Sequence, residues 1–495
     1  MNDMPTMPAP MPFGHASYAS RAECAAHGLL TADKGALPFG QLMERGTAGS
    51  RSRDAVGYGG ERHALVFGPN GSGKSMRVLA PLLLHSDSSR SFIVIDPKGE
   101  LAAITAPWRR QCGDVFIINP FGTLAHLKGY EDLASTGFNP LADLDPTAES
   151  FNADASLWAD ALVTMEGTQP FFPRMARNLV AALVMFEVVE AKAAGREPSL
   201  GRVRDLLTQP AGLPATLAKI AASGHRGMAN KAGPLMQEAK SIRDVIGEAA
   251  AQTEFLDDPE MAADLTKRGP AFGAMKDKAT TVYLILPADM MERHTKWFRL
   301  VLSAALRSLM TPRLKGQLPV TFLLEEYFLI ASGGLKIIES CMAFVRGFGI
   351  QLVPVLQDLN QLQDLYPKRW QTFLSNAGVV AHVGPPGDLT TSEWISKRSG
   401  DTTDFTENRS DNSTQGFSHD QQGALRASLS QSGGTSYSQT RVPFLPVHHL
   451  LNTPEGRLFL WKQGLANTVQ TLAPLYVESP FGLKAKARAN PYFNR

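Results

Sequence analysis

The stretch Gly68-Pro69-Asn70-Gly71-Ser72-Gly73-Lys74-Ser75 meets every specified position of the pattern G-x-x-x-x-G-K-[ST]. Its glycines let the backbone wrap closely round a di- or triphosphate, so that several N–H groups and the positive end of the following helix converge on the phosphate oxygens. Lys74 is placed to reach the β- and γ-phosphates, and the Ser75 hydroxyl to ligate Mg²⁺. The context supports this. His63 to Phe67 (His-Ala-Leu-Val-Phe) is a short apolar run that reads as a strand, and Met76 to Leu84 has helical spacing, giving the strand–loop–helix order that the pattern needs.

Further apolar runs also end in polar residues. Ser91–Ile95 ends in Asp96-Pro97-Lys98-Gly99-Glu100, and Val115–Ile118 ends in Asn119-Pro120-Phe121. Continuous apolar runs suit strands buried on both faces of a parallel sheet, and ligands bind beyond the carboxyl ends of such strands. Asp96 and Lys98 are therefore candidates for the nucleotide site. From about Leu141 to Phe272 the apolar residues recur at three- and four-residue spacing (Trp158, Leu162, Met165; Met175, Leu179, Leu183, Phe186), which predicts a helical insertion. Thr280–Leu286 restarts the strands, and Trp297 to Leu309 reads as a helix. This connectivity predicts a doubly wound α/β sheet carrying an all-α insertion.

The strand Val320–Leu324 ends in Glu325-Glu326. Paired acids at a strand end downstream of a phosphate loop suit a Walker B role, with Glu325 holding the metal shell and Glu326 orienting the attacking water. Gln351–Leu356 is a further strand, with Gln357 at its carboxyl end in position to sense the γ-phosphate. Arg346, before Gly347-Phe348-Gly349, is a candidate arginine finger acting on a neighbouring subunit's nucleotide. Val379–Val383 and Arg457–Trp461 supply the last strands. Residues 401–440, packed with Ser, Thr, Gln, Asn, Asp and Gly, predict a flexible loop.

Composition narrows the class. With 43% apolar and 19% charged residues over 495 positions, the chain is an ordinary globular protein of two or three domains. Its longest apolar stretch, Leu179 to Phe186, stops at Glu187, short of the roughly 18 residues that span a bilayer. The Met- and Pro-rich start lacks the basic and apolar regions of a secretory signal, which makes the cytoplasm the default compartment. Cys24, Cys112 and Cys341 have no paired spacing, so neither a disulfide framework nor a zinc site is expected. A net charge of +2 offers no global attraction for nucleic acid.

Taken together, these motifs resemble the VirD4/TraG-type coupling proteins, the conjugative DNA-transfer ATPases of type IV secretion. The resemblance rests on the loop Gly68 to Ser75, on Ile95-Asp-Pro-Lys-Gly-Glu-Leu101 with Thr105 and Arg109, on Phe138-Asn-Pro-Leu141, and on Pro170-Phe171-Phe172 with Ala176-Arg177-Asn178-Leu179. It continues through Leu324-Glu-Glu-Tyr327, Arg346-Gly-Phe-Gly349, Leu356-Gln-Asp-Leu-Asn-Gln-Leu362 with Tyr366, and Ser375-Asn376. It implies a RecA-like P-loop NTPase with a mainly parallel sheet and an inserted all-α domain. It also implies ATP and Mg²⁺ as cofactors, a homo-hexamer when active, and transfer of a DNA strand (single-stranded, with its relaxase) or a secreted protein to type IV secretion components.

Two departures from the family shape the expectations. Its N-terminal transmembrane helices have no counterpart here, so either membrane attachment needs a partner protein or the chain is a fragment or a soluble variant; it is expected at the cytoplasmic face of the inner membrane and monomeric when dilute. Its usual first Walker B acid is Asp, where this chain has Glu325, which bears on the hydrolysis rate. The alternative is a nucleotide-binding docking platform with weak or no hydrolysis. A chromosomal double-stranded DNA pump would carry a DNA-reading module after Pro474, and none is visible. The expected division is a disordered lead-in (1–13), a loosely built entry segment (14–60), a nucleotide-binding domain in two parts (61–140 and 273–480) around the all-α domain (141–272), and a tail (481–495).

Overall fold

A computed structural model describes residues 14–43, 51–165, 171–209, 212–237, 239–332, 336–342, 344–419, 425–478 and 487–492. The expected lead-in lies outside these residues, as does the expected tail apart from 487–492. In chain order the strands are β1 (Leu37–Met43), β2 (Arg51–Tyr58), β3 (His63–Phe67), β4 (Ser91–Ile95), β5 (Asp114–Ile118), β6 (Thr280–Leu284), β7 (Val320–Leu324), β8 (Ile350–Leu356), β9 (Ala377–Val383), β10 (Asp401–His419), β11 (Leu425–Pro443), β12 (Arg457–Lys462) and β13 (Val469–Leu472).

All except β10 and β11 join one sheet, ordered β2-β1-β13-β12-β9-β3-β8-β7-β4-β6-β5. From β9 to β5 every neighbouring pair is parallel, whereas β12, β13, β1 and β2 add on antiparallel at one side. The parallel strands explain their own sequence pattern. Leu65 and Phe67 of β3 enter one core, and Ala64 and Val66 enter the core on the other face, so apolar residues are needed at successive positions rather than alternate ones.

Between β5 and β6 the chain leaves the sheet and folds as helices. The helix Phe171–Ala193 is their centre, with its run Leu179–Val184 buried, and it packs against Phe151–Leu162, Arg226–Gln237 and Ala239–Gln252. A helix apolar on all sides is one enclosed by others, which is why Leu179–Phe186 is the most apolar stretch of the chain. Among the described residues no helix is long and apolar enough to cross a membrane. The helices meet the sheet domain through Thr295–Leu309, whose Arg307 pairs with Asp154 and whose Arg299 donates to the Val163 carbonyl at 3.1 Å.

Two segments differ from the sequence-based expectation. Residues 14–60, expected to be loosely built, hold a short helix, Arg21–Ala26, closed by reciprocal bonds between Ser20 and Glu23, and then β1 and β2, which extend the main sheet. β1 pairs with β13, more than 400 residues away in the chain, with Gln41 facing Leu472, so no local signal announces the pairing. Residues 401–440, expected to be a flexible loop, form a two-stranded antiparallel ribbon in continuous register from Asp401 opposite Pro443 to His419 opposite Leu425. Polar composition concealed it, because strand reading relies on one apolar face and this ribbon is exposed at residues 404–406, 410–415 and 431–436.

Candidate nucleotide site

Four neighbouring strands, β3, β8, β7 and β4, end at one edge of the sheet, and their carboxyl ends deliver the loop 68–75, Gln357, Glu325-Glu326 and Asp96. The resulting cleft has a volume of about 510 Å³ and is lined by Asn70, Gly71, Gly73, Lys74, Ser75, Lys98, Glu325, Glu326 and Gln357, among others. This is where ligands bind in open α/β sheets.

The loop needs its glycines for space and for backbone shape. A methyl group on Gly68 would lie 2.7 Å from Ser72 Oγ and 2.8 Å from the Val383 carbonyl oxygen. Gly73 has φ 89° and so turns the chain into the helical run that begins at Lys74, first with π-type bonding (Lys74–Leu79) and then as an α-helix (Ala80–His85). Lys74 Nζ donates to the Gly68 carbonyl at 2.6 Å and the Pro69 carbonyl at 3.1 Å. Burial pushes the Lys74 pKa down, opposed by Glu326 and Glu325. The buried Ser72 hydroxyl lacks a hydrogen-bond partner. A cation turned onto its own loop, an orphaned hydroxyl and a cradle that a side chain would fill are features that fit a phosphate group.

Ser75 Oγ donates to Glu325 Oε1. Burial raises the Glu325 pKa well above the usual carboxylate range, and Asp96, Glu326 and Glu100 reinforce the shift. Carboxylates crowded together in a desolvated place, beside a hydroxyl, suit a hard divalent cation such as Mg²⁺. Glu326 has φ 49°, in the left-handed region that residues other than Gly, Asn and Asp rarely adopt. Strain of this kind persists where surrounding structure enforces it, here directing the residue after β7 at the cleft.

The predicted residues do not all converge. Lys98 lines the cleft, but Asp96 is buried behind it, where one carboxylate oxygen accepts from Ala102 N–H at 2.7 Å and the other is unpartnered. Burial raises the Asp96 pKa too. Gln357 is held by its neighbours: its N–H donates to Gln361 Oε1 at 2.8 Å, while Asp358 caps the helix Leu359–Leu365. Arg346 lies elsewhere, 52% exposed, with Nε 3.9 Å from Glu61 Oε2. It precedes β8 whereas Gln357 follows it, so the two are separated by the strand's length of about 23 Å. Within its own subunit Arg346 is remote from the cleft.

Residues missed by sequence reasoning complete the walls: Met76, Glu100, Ala288, Met291 and Leu329. Met291 and Leu329 have no local signal, since they reach the cleft from the loop after β6 and the short helix Tyr327–Ser332 that follows β7. Two residues that carry the resemblance are structural: Thr105 Oγ1 bonds the Tyr283 hydroxyl at 2.6 Å, and Arg109 is buried over the Phe92 ring with bonds to Thr281, Ser86, Asp87 and Arg90.

A phosphate cradle after β3, acids at the end of β7 and a polar residue at the end of β8 define a P-loop NTPase of RecA-like architecture with an inserted all-α domain. Within that class, residues 11–429 match the type IV secretory system conjugative DNA-transfer family, and the chain belongs to it. It is 26% identical over 352 residues to the conjugal transfer protein TraG of Rhizobium radiobacter, covering 70% of this chain and 53% of TraG. To VirD4 of Agrobacterium fabrum it is 28% identical over 358 residues, covering 70% of this chain and 50% of VirD4. The chain thus spans about half the length of these curated relatives. The fold is shared with the plasmid coupling protein TrwB in complex with the ATP analogue ADPNP (TM-score 0.62, 16% identity, 94% of this chain and 96% of TrwB). TrwB in complex with ADP and Mg²⁺ gives a TM-score of 0.61 at 15% identity, covering 95% and 96%.

Proposed function

We propose that this chain is a coupling ATPase of a conjugative type IV secretion system, acting at the cytoplasmic face of the inner membrane. It binds ATP with Mg²⁺ in the cleft and uses hydrolysis to pass a DNA strand or nucleoprotein to the secretion channel. The observation that carries this reading is the convergence of Lys74, Ser75, Glu325, Glu326 and Gln357 from the ends of three adjacent strands, β3, β8 and β7. Bound Mg²⁺–ATP supplies the transferable γ-phosphoryl group and the metal charge that offsets its oxygens. Lys74 contacts the phosphate oxygens, Ser75 and Glu325 hold the metal, Glu326 orients water and accepts its proton, and Gln357 reads the γ-phosphate end. Steady-state ATPase assays with and without single-stranded DNA test the reading, and DNA-stimulated turnover is expected.

The docking-platform reading, with weak hydrolysis, draws on one contact: the Ser75 hydroxyl is committed to Glu325, the longer acid. Two outcomes weigh on it. Glu325→Asp should retain or raise turnover, because the shorter side chain frees Ser75, and a tenfold or larger drop would mean that the site is adapted to glutamate. In the wild type the raised carboxyl must lose its proton before it meets a dication, so Mg²⁺ affinity should climb with pH up to about 8, the value to which burial lifts Glu325, and level off above it, with proton release. Calorimetry in buffers of different ionisation enthalpy reads this directly, and pH-independent Mg²⁺ binding would count against Glu325 as a ligand.

Activity is further proposed to need a ring, with Arg346 reaching the γ-phosphate held by the next subunit. Its distance from its own cleft means that any contact it makes with nucleotide would be with a neighbour's. Arg346→Ala and Lys74→Ala subunits, each nearly inactive alone, should recover part of the activity when mixed. Absence of recovery in verified mixed oligomers would leave Arg346 as the partner of Glu61 alone.

A further inference from the structure

The segment Ala487–Tyr492 returns from the far end of the chain to the helix Glu100–Cys112, and nothing in the nucleotide reading uses it. Arg488 anchors it. Its N–H donates to the Ile104 carbonyl at 3.0 Å, and its guanidinium donates to the Ala103 carbonyl at 2.8 Å and the Gly129 carbonyl at 2.7 Å. The same guanidinium pairs with Asp132 at 2.6 Å and lies 4.5 Å from the centre of the Tyr130 ring. Tyr130 in turn donates its hydroxyl to the Ala489 carbonyl at 2.8 Å.

Past this anchor the segment reaches the back of the cleft. Asn490 is 2% exposed; its Nδ2 donates to Glu100 Oε1 at 2.8 Å and lies 3.7 Å from Met76 Sδ. Its Oδ1 accepts from Tyr492 N–H at 3.0 Å, and the Tyr492 hydroxyl donates to the Lys98 carbonyl at 2.8 Å. Met76, Lys98 and Glu100 all line the cleft. Met76 lies in the first turn of the phosphate-loop helix, whereas Lys98 and Glu100 form the opposite wall after β4, so this segment ties together two elements that a nucleotide must fit between.

We propose that Asn490 and Tyr492 are positioning residues of the nucleotide site: Asn490 fixes the Glu100 carboxylate and Tyr492 fixes the main chain at Lys98, holding that wall at a set distance from the phosphate loop. This rests on the nucleotide reading above. A hydrogen bond to a carboxylate is stronger than one between neutral groups, so Asn490 carries the larger share. Loss of the tie leaves the chemistry of Lys74 and Glu326 in place but makes binding order the wall, which appears in affinity more than in turnover.

The test uses the full chain, with a fluorescent ADP analogue for Kd and steady-state ATPase for KM and kcat. Asn490→Ala should raise Kd and KM about tenfold and Tyr492→Phe about threefold, with kcat changed less than about twofold. In a Glu100→Gln background Asn490→Ala should add less than about twofold, since the pair acts as one unit. Unchanged Kd in both single variants, a loss in kcat alone, or full additivity with Glu100→Gln would overturn the proposal. If Asn490→Ala fails to fold, Tyr492→Phe decides alone, because it removes one hydroxyl from a side chain that is 46% exposed. Wild-type protein that binds no nucleotide would remove the nucleotide reading itself, and wild-type binding with unaltered variants would remove only this tie.

Discussion

Replacing Lys74 by alanine should lower ATP hydrolysis by about two to three orders of magnitude, the scale seen when one preorganised charge-stabilising donor is removed. The Lys74 ammonium is partly buried and, among the described residues, makes its hydrogen bonds to the Gly68 and Pro69 carbonyls of its own loop. It therefore joins no two elements of the fold, and the variant should melt within a few degrees of the wild type. Held at the loop, the charge is ready to turn from those carbonyls to phosphate oxygens, where charge grows during transfer. Steady-state phosphate release by purified wild type and variant measures the effect. Equal turnover would end the motor reading, whatever the similarity to coupling proteins.

The second large effect is expected at Glu326. Glu326→Gln keeps the side chain's size and removes its ability to take a proton, so nucleotide should still bind while hydrolysis falls by about two to four orders of magnitude. Glu326 follows β7 with φ 49° and faces the cleft beside Glu325, and the amide can occupy that backbone position as the acid does. The variant should hold ATP through gel filtration and release phosphate slowly in a single turnover. Equal loss of binding and hydrolysis would assign Glu326 to the metal or to the shape of the turn after β7.

Much of this protein was legible without coordinates. The loop Gly68 to Ser75 declares itself because each of its positions answers a local demand, for a tight turn, for room beside phosphate or for charge. The strands β3, β4, β7 and β8 are readable because parallel strands covered on both faces must be apolar throughout. The helical character from Leu141 to Phe272 follows from spacing in the same way. These are properties of neighbours in sequence, and sequence reports them directly.

Other features depend on partners distant in the chain, and there local reading fails. Asp96 and Lys98 both follow β4, yet only Lys98 lines the cleft, because Asp96 turns to cap the helix that begins at Glu100. Arg346 and Gln357 flank one strand and so lie at opposite ends of it. The ribbon of β10 and β11 has the composition of a loop and became a hairpin through backbone pairing, to which polar side chains give no signature.

Residues a few positions apart specify the phosphate loop, the parallel strands, the helical insertion and the pair of acids after β7, so each can be read along the chain. That β8 lies between β3 and β7, that Ser75 meets Glu325 and that Asn490 reaches Glu100 emerge only in the folded chain. Those contacts join segments tens to hundreds of residues apart, and sheet order and packing across the whole chain, rather than local propensity, bring them together.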